Sequence, residues 1–397
     1  MKNSSLTFYL EINNTSYIFF VSENDEQGNF KIVYKLEIPQ NNINNNIITD
    51  LEEISRTIKT NVYIIEQKLN HTFKEIILIL ENFNPTFINL SGYKKLNGSQ
   101  VLRENITYIL NKLKTYVDEN EKKKTIIHIF NSKFNLDNKK VENLPIGLFG
   151  DFYSHELSFI LMNSNTKKNL ENIFDKINLK IQKIFVKSFI SGANIINNYK
   201  KTDTFFHIKI NENNTKIFYF ENNSLKFEQV FKFGTNIILK DISKVTSLDI
   251  KTIRNILNKV EFCDDISDQE LIEQKFFNED IFRKIKKKLI YEIAFARIKE
   301  ISEIILLKNI NFANYNKVTK NIFLEMDVNP QFKSLKEIFK KNFLIDKNYN
   351  LNFVNFSTEN MLNTTYKLVH FGWKNEAIPI SSSNKSIIAR FFDTIFG

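Results

Sequence analysis

Apolar and polar positions alternate from the start of the chain. Phe8 to Val21, FYLEINNTSYIFFV, predicts two short strands around a polar turn at Asn13-Asn14. FKIVYKLEI predicts a third strand ahead of an Asn-rich run, NNINNNI, which reads as a surface loop. Ile54 to Leu69 has helical spacing, and KEIILILEN predicts a buried strand. Between about 85 and 161 a helix, ENITYILNKLKTYV, leads into the strand TIIHIF. A second apolar strand, HELSFILM, comes after Pro145-Ile146-Gly147. A helix over Lys168 to Ile177 precedes the strand IQKIFVKSF. Then the opening pattern recurs. TFFHIKINENNTKIFYF, Thr204 to Phe220, is again strand, polar turn, strand, and FEQVFKFG supplies a third. Helices dominate from about 246 to 312, NIFLEM is a short strand, and SLKEIFKKNF is a helix.

The chain ends on SIIARFFDTIFG. On a helix at about 100° per residue, Ile387, Ile388, Phe391, Phe392, Ile395 and Phe396 share one half of the wheel, and Arg390, Asp393 and Thr394 take the other. Such a segment is either a last core helix or one that binds elsewhere. The polar run ISSSNK before it favours the second. Six half-inserted side chains would contribute on the order of 5–8 kcal/mol, offset by the ordering of a short helix. One copy would bind a bilayer weakly, and many copies on a filament far more tightly.

At 397 residues the chain predicts two or more domains. No apolar run reaches about eighteen residues, and MKNSSLTFYLEI lacks a secretion signal's apolar stretch, so a cytosolic body is expected. A lone Cys263 rules out an internal disulfide, and the five histidines show no HxxxH or HxH spacing, so no metal site is expected. A net charge of +10 raises nucleic acid or an anionic membrane as partner. Abundant Asn, Lys, Ile, Phe and Tyr with little Gly, Pro and Ala mark an AT-rich coding bias, which makes the charge a weak guide. Asp264-Asp265 read as a solvated acidic turn. Arg283 to Lys288, RKIKKK, read as the solvated face of a helix with Phe282, Ile285 and Leu289 inward, or alternatively as a landing site for an acidic partner. No aromatic residue interleaves with this run as nucleic-acid binding would require.

Two hairpin-first α/β units in succession predict a duplicated fold of the actin/hexokinase type. Within it, IIHIFNSKFNLDNKKVENLPIGLFG resembles the FtsA division actins, whose inserted subdomain carries a Leu-His, Phe, Asp, Pro-x-Gly-x-x-Gly pattern. His128, Phe134, Asp137, Pro145, Gly147 and Gly150 fill those positions, with Ile127 for the Leu. The stretch from His155 to Ile196 is similar to the strand, helix and strand that lead that family back into its first domain. FGTNIILKDIS resembles a Gly-x-x-x-Thr-x-Asp-Ile segment, keeping Asp241, with Leu239 at the Thr and Gly234 one residue out of register. FARIKEISEII resembles a helix built around an Arg-x-x-Glu pair, here Arg297 and Glu300.

The resemblance implies a layout. Residues 1–84 and 162–203 would form the first actin-like domain, and 85–161 an inserted subdomain that makes head-to-tail filament contacts. Residues 204–255 and 318–364 would form the second domain, and 256–317 a small helical subdomain. Residues 365–380 would return to the first domain, and 381–385 link to a membrane helix at 386–397, with Ile387, Ile388, Arg390, Phe391, Phe392, Ile395 and Phe396 as its contacts. Arg297 and Glu300 would hold the acidic, apolar C-terminal tail of the tubulin-like GTPase FtsZ. The implied partners are FtsZ, further copies of the chain, membrane lipids and later division proteins, at the division site on the inner face of the cytoplasmic membrane.

Actin-like ATPases hold phosphates with two Gly-rich hairpin turns, each opened by an Asp. Glu11, Asn13 and Thr15 occupy the first turn here. In the second, Lys209 replaces the first Asp, Asn211-Glu212-Asn213 replace the glycines, Thr215 remains, and Lys216 replaces the second Asp. With Gly234 these are the candidate nucleotide contacts. Leu324 to Asp327 replace the adenosine-side Leu-Thr-Gly-Gly. Plain hairpin turns on a retained scaffold are expected, with no catalytic residue and no cofactor beyond weakly bound ATP/Mg. Lys209 or Lys216 as phosphate counter-charges is the alternative. The function expected is an FtsA-like adaptor that tethers the FtsZ ring and recruits later division proteins. An active ATPase of the same fold, a PilM-like pilus-assembly adaptor and an unrelated basic nucleic-acid binder are its rivals.

Overall fold

In a computed structural model, residues 5–13, 15–24, 30–44, 47–81, 83–199, 201–262, 266–277, 281–326, 333–343 and 348–377 are described. Asn14, Cys263, Asp264-Asp265, Asp327 and the amphipathic stretch 386–397 lie outside these residues. Packing divides the chain into two units, one of residues 1–202, 221–226 and 356–397, the other of 203–220 and 227–355.

Unit 1 opens on β1 (Ser5–Ile12), β2 (Ser16–Asn24) and β3 (Phe30–Pro39), an antiparallel run that the alternating sequence anticipates. Two short strands, β4 (Ile43–Asn44) and β5 (Ile47–Ile48), pair with each other. Helix α1 (Leu51–Leu69) starts at Asp50, whose side chain accepts from Glu53 N–H, and it buries Ile54, Ile58, Val62 and Ile65. The apolar strand β6 (Glu75–Leu80) runs parallel to β1. Next comes β7 (Thr86–Lys95), which the sequence pattern did not separate from its surroundings, then α2 (Arg103–Asn120), β8 (Lys124–Leu136), β9 (Lys139–Val141) and β10 (Phe152–Asn163). These strands form their own sheet, in the order β7-β10-β8-β9, with α2 packed on it over Ile106, Ile109 and Leu113.

Helix α3 (Ser164–Asp175), capped by Asn163, leads to β11 (Lys180–Val186), which lies parallel to β6 and completes the sheet β11-β6-β1-β2-β3. The strand expected through Phe189 ends at Val186. Lys187 already opens α4 (Lys187–Asn198), a helix buried on every side from Ser188 to Ile195, so its apolar residues show no strand-like alternation.

Unit 2 repeats the design with β12 (Phe205–Ile210), β13 (Thr215–Glu221) and β14 (Ser224–Phe231), whose first residues through Lys226 pack in unit 1. Helices α5 (Thr235–Thr246), α6 (Ile250–Lys259), α7 (Lys287–Ser302) and α8 (Ile310–Tyr315) follow. The strand β15 (Asn321–Met326), α9 (Lys333–Asn342) and β16 (Asn350–Val354) close the sheet β14-β13-β12-β15-β16. Arg283 to Lys286 are not helical as expected. Ile285 O accepts from Ile272 N–H and Lys287 N–H reaches Glu270 O, a short strand pairing that delays the helix; Ile285 is buried while Phe282 and Leu289 stay exposed. Helix α10 (Thr358–His370) belongs to unit 1. Among the described residues no helix is long and apolar enough to cross a membrane.

Candidate functional site

The first turn, between β1 and β2, is tied together by Asn13. Its Oδ1 accepts from the N–H groups of Thr15 and Ser16, both at 2.8 Å, and from Thr15 Oγ1 at 3.0 Å. Asn13 N–H donates to Ser16 O, and Gln40 Nε2 donates to Asn13 O. An asparagine oxygen thus satisfies donors that a Gly-rich turn would leave open to a ligand.

Glu11, buried near the end of β1, faces a residue that sequence reasoning did not single out. Lys187 Nζ lies 2.7 Å from Glu11 Oε1 and 2.9 Å from Glu81 Oε2. Burial pulls the Lys187 pKa down, but the charges of Glu81 and Glu11 more than offset it, and the net shift is upward. The three residues come from the C-terminal ends of β1, β6 and β11, adjacent parallel strands, the edge where α/β sheets bind ligands. The only sequence signal was a cation inside the apolar run IFVKSFI.

The second turn is closed in a similar way within unit 2. Asn211 Nδ2 donates to Asn214 Oδ1 and Asn211 N–H to Asn214 O. The first N–H groups of α5 point back at the turn, Thr235 to Asn211 O at 3.0 Å and Asn236 to Glu212 O at 2.9 Å. Asn213 Oδ1 accepts from Asn236 Nδ2, and Thr215 Oγ1 donates to Phe233 O. Glu212 pairs with Arg254, Lys209 with Glu325 and Lys216 with Glu228.

Gly234 caps α5 against this turn. A Cβ there would lie 2.1 Å from Asn211 O and 2.7 Å from Glu212 O, so the close approach of backbone requires glycine. Gly234→Ala is expected to destabilise unit 2 by about 1–3 kcal/mol. Denaturant melts of the two proteins check this, and an unchanged midpoint would count against the tight turn–helix contact.

Arg297, on α7, bonds Asp241 of α5 and, at 2.5 Å, Glu300 one turn on. The expected pair is therefore part of a three-residue internal cluster. The second turn and this cluster both rest on α5, through Thr235 and Asn236 at its start and Asp241 further along, while the first turn belongs to unit 1 and the amphipathic residues Ile387 to Phe396 are outside the described residues. Among the described residues no three His, Cys, Asp or Glu are grouped to hold a metal.

No family model matches the chain. In sequence it is 24% identical over 298 residues to the cell division protein FtsA of Buchnera aphidicola subsp. Baizongia pistaciae, covering 75% of this chain and 70% of that one. It is 21% identical over 299 residues to FtsA of Neisseria meningitidis serogroup B, covering 75% and 72%. Against FtsA of Buchnera aphidicola subsp. Acyrthosiphon pisum the match is 20% over 410 residues, all of this chain and 96% of the relative. Among solved structures, a PilM-PilN type IV pilus biogenesis complex superposes with a TM-score of 0.54 at 10% identity, covering 94% of this chain and 99% of that one. The fold is that of the actin-like ATPases.

An actin-like ATPase implies Mg²⁺ and nucleotide phosphates at these turns. The residues present do not fit a divalent cation. Mg²⁺ needs carboxylate oxygens at about 2.0–2.1 Å, and one oxygen of each of Glu11 and Glu81 already binds the Lys187 ammonium, whose charge opposes a second cation there. Nor do the turn N–H groups of Asn13, Thr15, Ser16, Asn211, Thr235 and Asn236 point at an open cradle, since each donates within the protein.

Proposed function

We propose that this actin-like chain is a cell division adaptor of FtsA type, which tethers FtsZ filaments to the inner face of the cytoplasmic membrane and recruits later division proteins without efficient ATP hydrolysis. The sequence similarity to proteins named cell division protein FtsA, running over three quarters or more of the chain, carries this reading. The internally satisfied turns support the loss of ATP chemistry. The amphipathic pattern of Ser386 to Gly397 behind a polar linker supports attachment at a bilayer surface. Arg297 remains the proposed contact for an acidic tail peptide, whose carboxylate would exchange with that of Glu300. Self-association through residues 85–161 belongs to the same reading.

Co-sedimentation with anionic vesicles tests it, comparing the full chain with a version ending at Ser383, each with and without Mg-ATP. The full chain is expected to pellet, the shortened one to stay in solution, and ATP to change neither. Equal pelleting of both would refute the anchor. It would also favour a pilus-assembly adaptor, a reading that the likeness to the PilM-PilN complex keeps in view and that needs no terminal membrane helix.

A further inference from the structure

Lysine is a poor choice for the first residue of a helix, where its charge meets the positive end of the helix dipole. Lys187 nonetheless opens α4, and no side chain caps that helix. Something outside the helix must favour a cation at this point. The answer lies in strand order. Glu11 is one residue from the end of β1, Glu81 follows β6 directly, and its N–H donates to Ile12 O at 3.0 Å, which holds the two acids side by side. Two carboxylates brought together near the sheet edge repel each other, and unless a positive charge joins them one must take a proton.

We propose that Lys187 is the resident counter-ion of this acid pair and replaces a divalent cation there, so that the strand edge is complete without metal. An ammonium carries one positive charge on a covalent arm, donates hydrogen bonds at 2.7 and 2.9 Å, and needs no concentration of free ion to stay in place. A divalent ion could reach the same oxygens only by displacing it, against the repulsion of a half-buried positive charge. The inference deepens the non-catalytic part of the proposed function and rests on contacts inside unit 1.

The test uses the full chain at neutral pH, with Mn²⁺ as the probe, followed by the loss of its free paramagnetic signal and by thermal melts. The native chain is expected to bind no Mn²⁺ at millimolar metal and to melt within about 1 °C of its metal-free value. Lys187→Met leaves the buried Glu11 and the half-buried Glu81 carboxylates uncompensated and should lower Tm by on the order of 10 °C. It should bind one equivalent of Mn²⁺ and regain much of the lost Tm. Lys187→Met combined with Glu11→Gln and Glu81→Gln removes the charges altogether, and should melt near the native chain and ignore Mn²⁺. Stoichiometric Mn²⁺ binding by the native chain would overturn the inference, as would a Lys187→Met protein indifferent to metal. If Lys187→Met does not fold with or without Mn²⁺, recovery of folding in the triple variant supports the counter-ion role, and failure to recover overturns it. Vesicle pelleting is read separately, so a native chain that pellets yet binds Mn²⁺ would fail this inference alone.

Discussion

Lowering the pH from 7 to 4 is expected to cost unit 1 about 3 kcal/mol through His155 alone. His155 lies on β10, fully enclosed, with Nε2 2.9 Å from Asn131 Oδ1 and the rings of Phe134 and Tyr153 beside it. Burial lowers its pKa to about 3 from an ordinary 6.5. Above pH 6.5 the ring is neutral in both folded and unfolded chains, and nothing changes. Below that value the unfolded chain takes up a proton that the folded one refuses, so stability falls with pH until about 3.

Two further groups of unit 1 act in the same direction. Burial also lowers the pKa of His128. Glu376 is pushed up by burial, but the His128 hydrogen bond and the Lys183 charge outweigh this and hold it at about 2. Its contribution is present above the ordinary carboxylate value of 4.5 and lost as the pH drops towards 2. His155→Gln keeps a neutral partner for Asn131 and removes the proton site. Urea melts at pH 7 and pH 4 should show the variant losing about 3 kcal/mol less than the native chain. Parallel losses in the two proteins would show that His155 is not the acid-labile group.

The hairpins β1–β2 and β12–β13 were legible because strand alternation breaks only at an Asn-rich turn, a local signal. The Asp137, Gly147 and Gly150 pattern was legible through family resemblance, and its physical content is a loop. Asp137 Oδ1 accepts from the N–H groups of Asp151 and Phe152, and a Cβ at Gly150 would stand 2.6 Å from Leu136 Cδ1, which would have to shift. β7, TFINLSGYKK, carries few consecutive apolar residues and a glycine, so no strand was assigned to it from the pattern. Its Gly92 is the place where α2 presses on the sheet, with Ile109 2.5 Å from where a Cβ would stand.

What stayed hidden in the sequence is long-range. Lys187 meets Glu11 across 176 residues and Glu81 across 106, and no periodicity in a short window reports such pairings. The same applies to Arg297. Its i,i+3 partner Glu300 was visible, whereas Asp241, 56 residues away, reached it only through the packing of α5 on α7. The substituted turns were recognisable residue by residue, but their consequence required the donors to be counted. In the first turn Asn13 Oδ1 takes up the N–H groups of Thr15 and Ser16, whereas in the second the N–H groups of Asn211, Thr235 and Asn236 go to backbone oxygens.

Trp373→Ala is expected to destabilise unit 1 by about 3–5 kcal/mol and to unfasten the last described segment of the chain. Trp373 is buried, its ring meets Phe189 edge-on, and its Nε1 donates to Asn223 O at 3.0 Å. Beyond it the chain runs antiparallel along β8. Asn131 N–H donates to Asn375 O at 2.6 Å, Ala377 N–H to Ile129 O at 2.7 Å, and Asn375 Nδ2 bonds both Asn131 O and Asn222 O. Glu376 adds its pairing with His128 and Lys183. The indole anchors one end of this strap, so its loss should expose the Asn131 and Ala377 amides to hydrogen exchange before the rest of β8 opens.

The consequence for a tether is geometric. Residues 378–385 can span at most about 28 Å between the strap and the amphipathic segment, and releasing 371–377 would add about 24 Å. If the proposed anchor holds, vesicle pelleting should survive in Trp373→Ala, because the apolar residues from Ile387 to Phe396 are untouched, while the body would gain freedom over the membrane. Protection lost uniformly across unit 1, with no early opening at Asn131 and Ala377, would mean that the strap is part of the general core. Early opening confined to those amides would identify it as a separable fastening, one that sets how far an actin-like body stands from the surface it is proposed to hold.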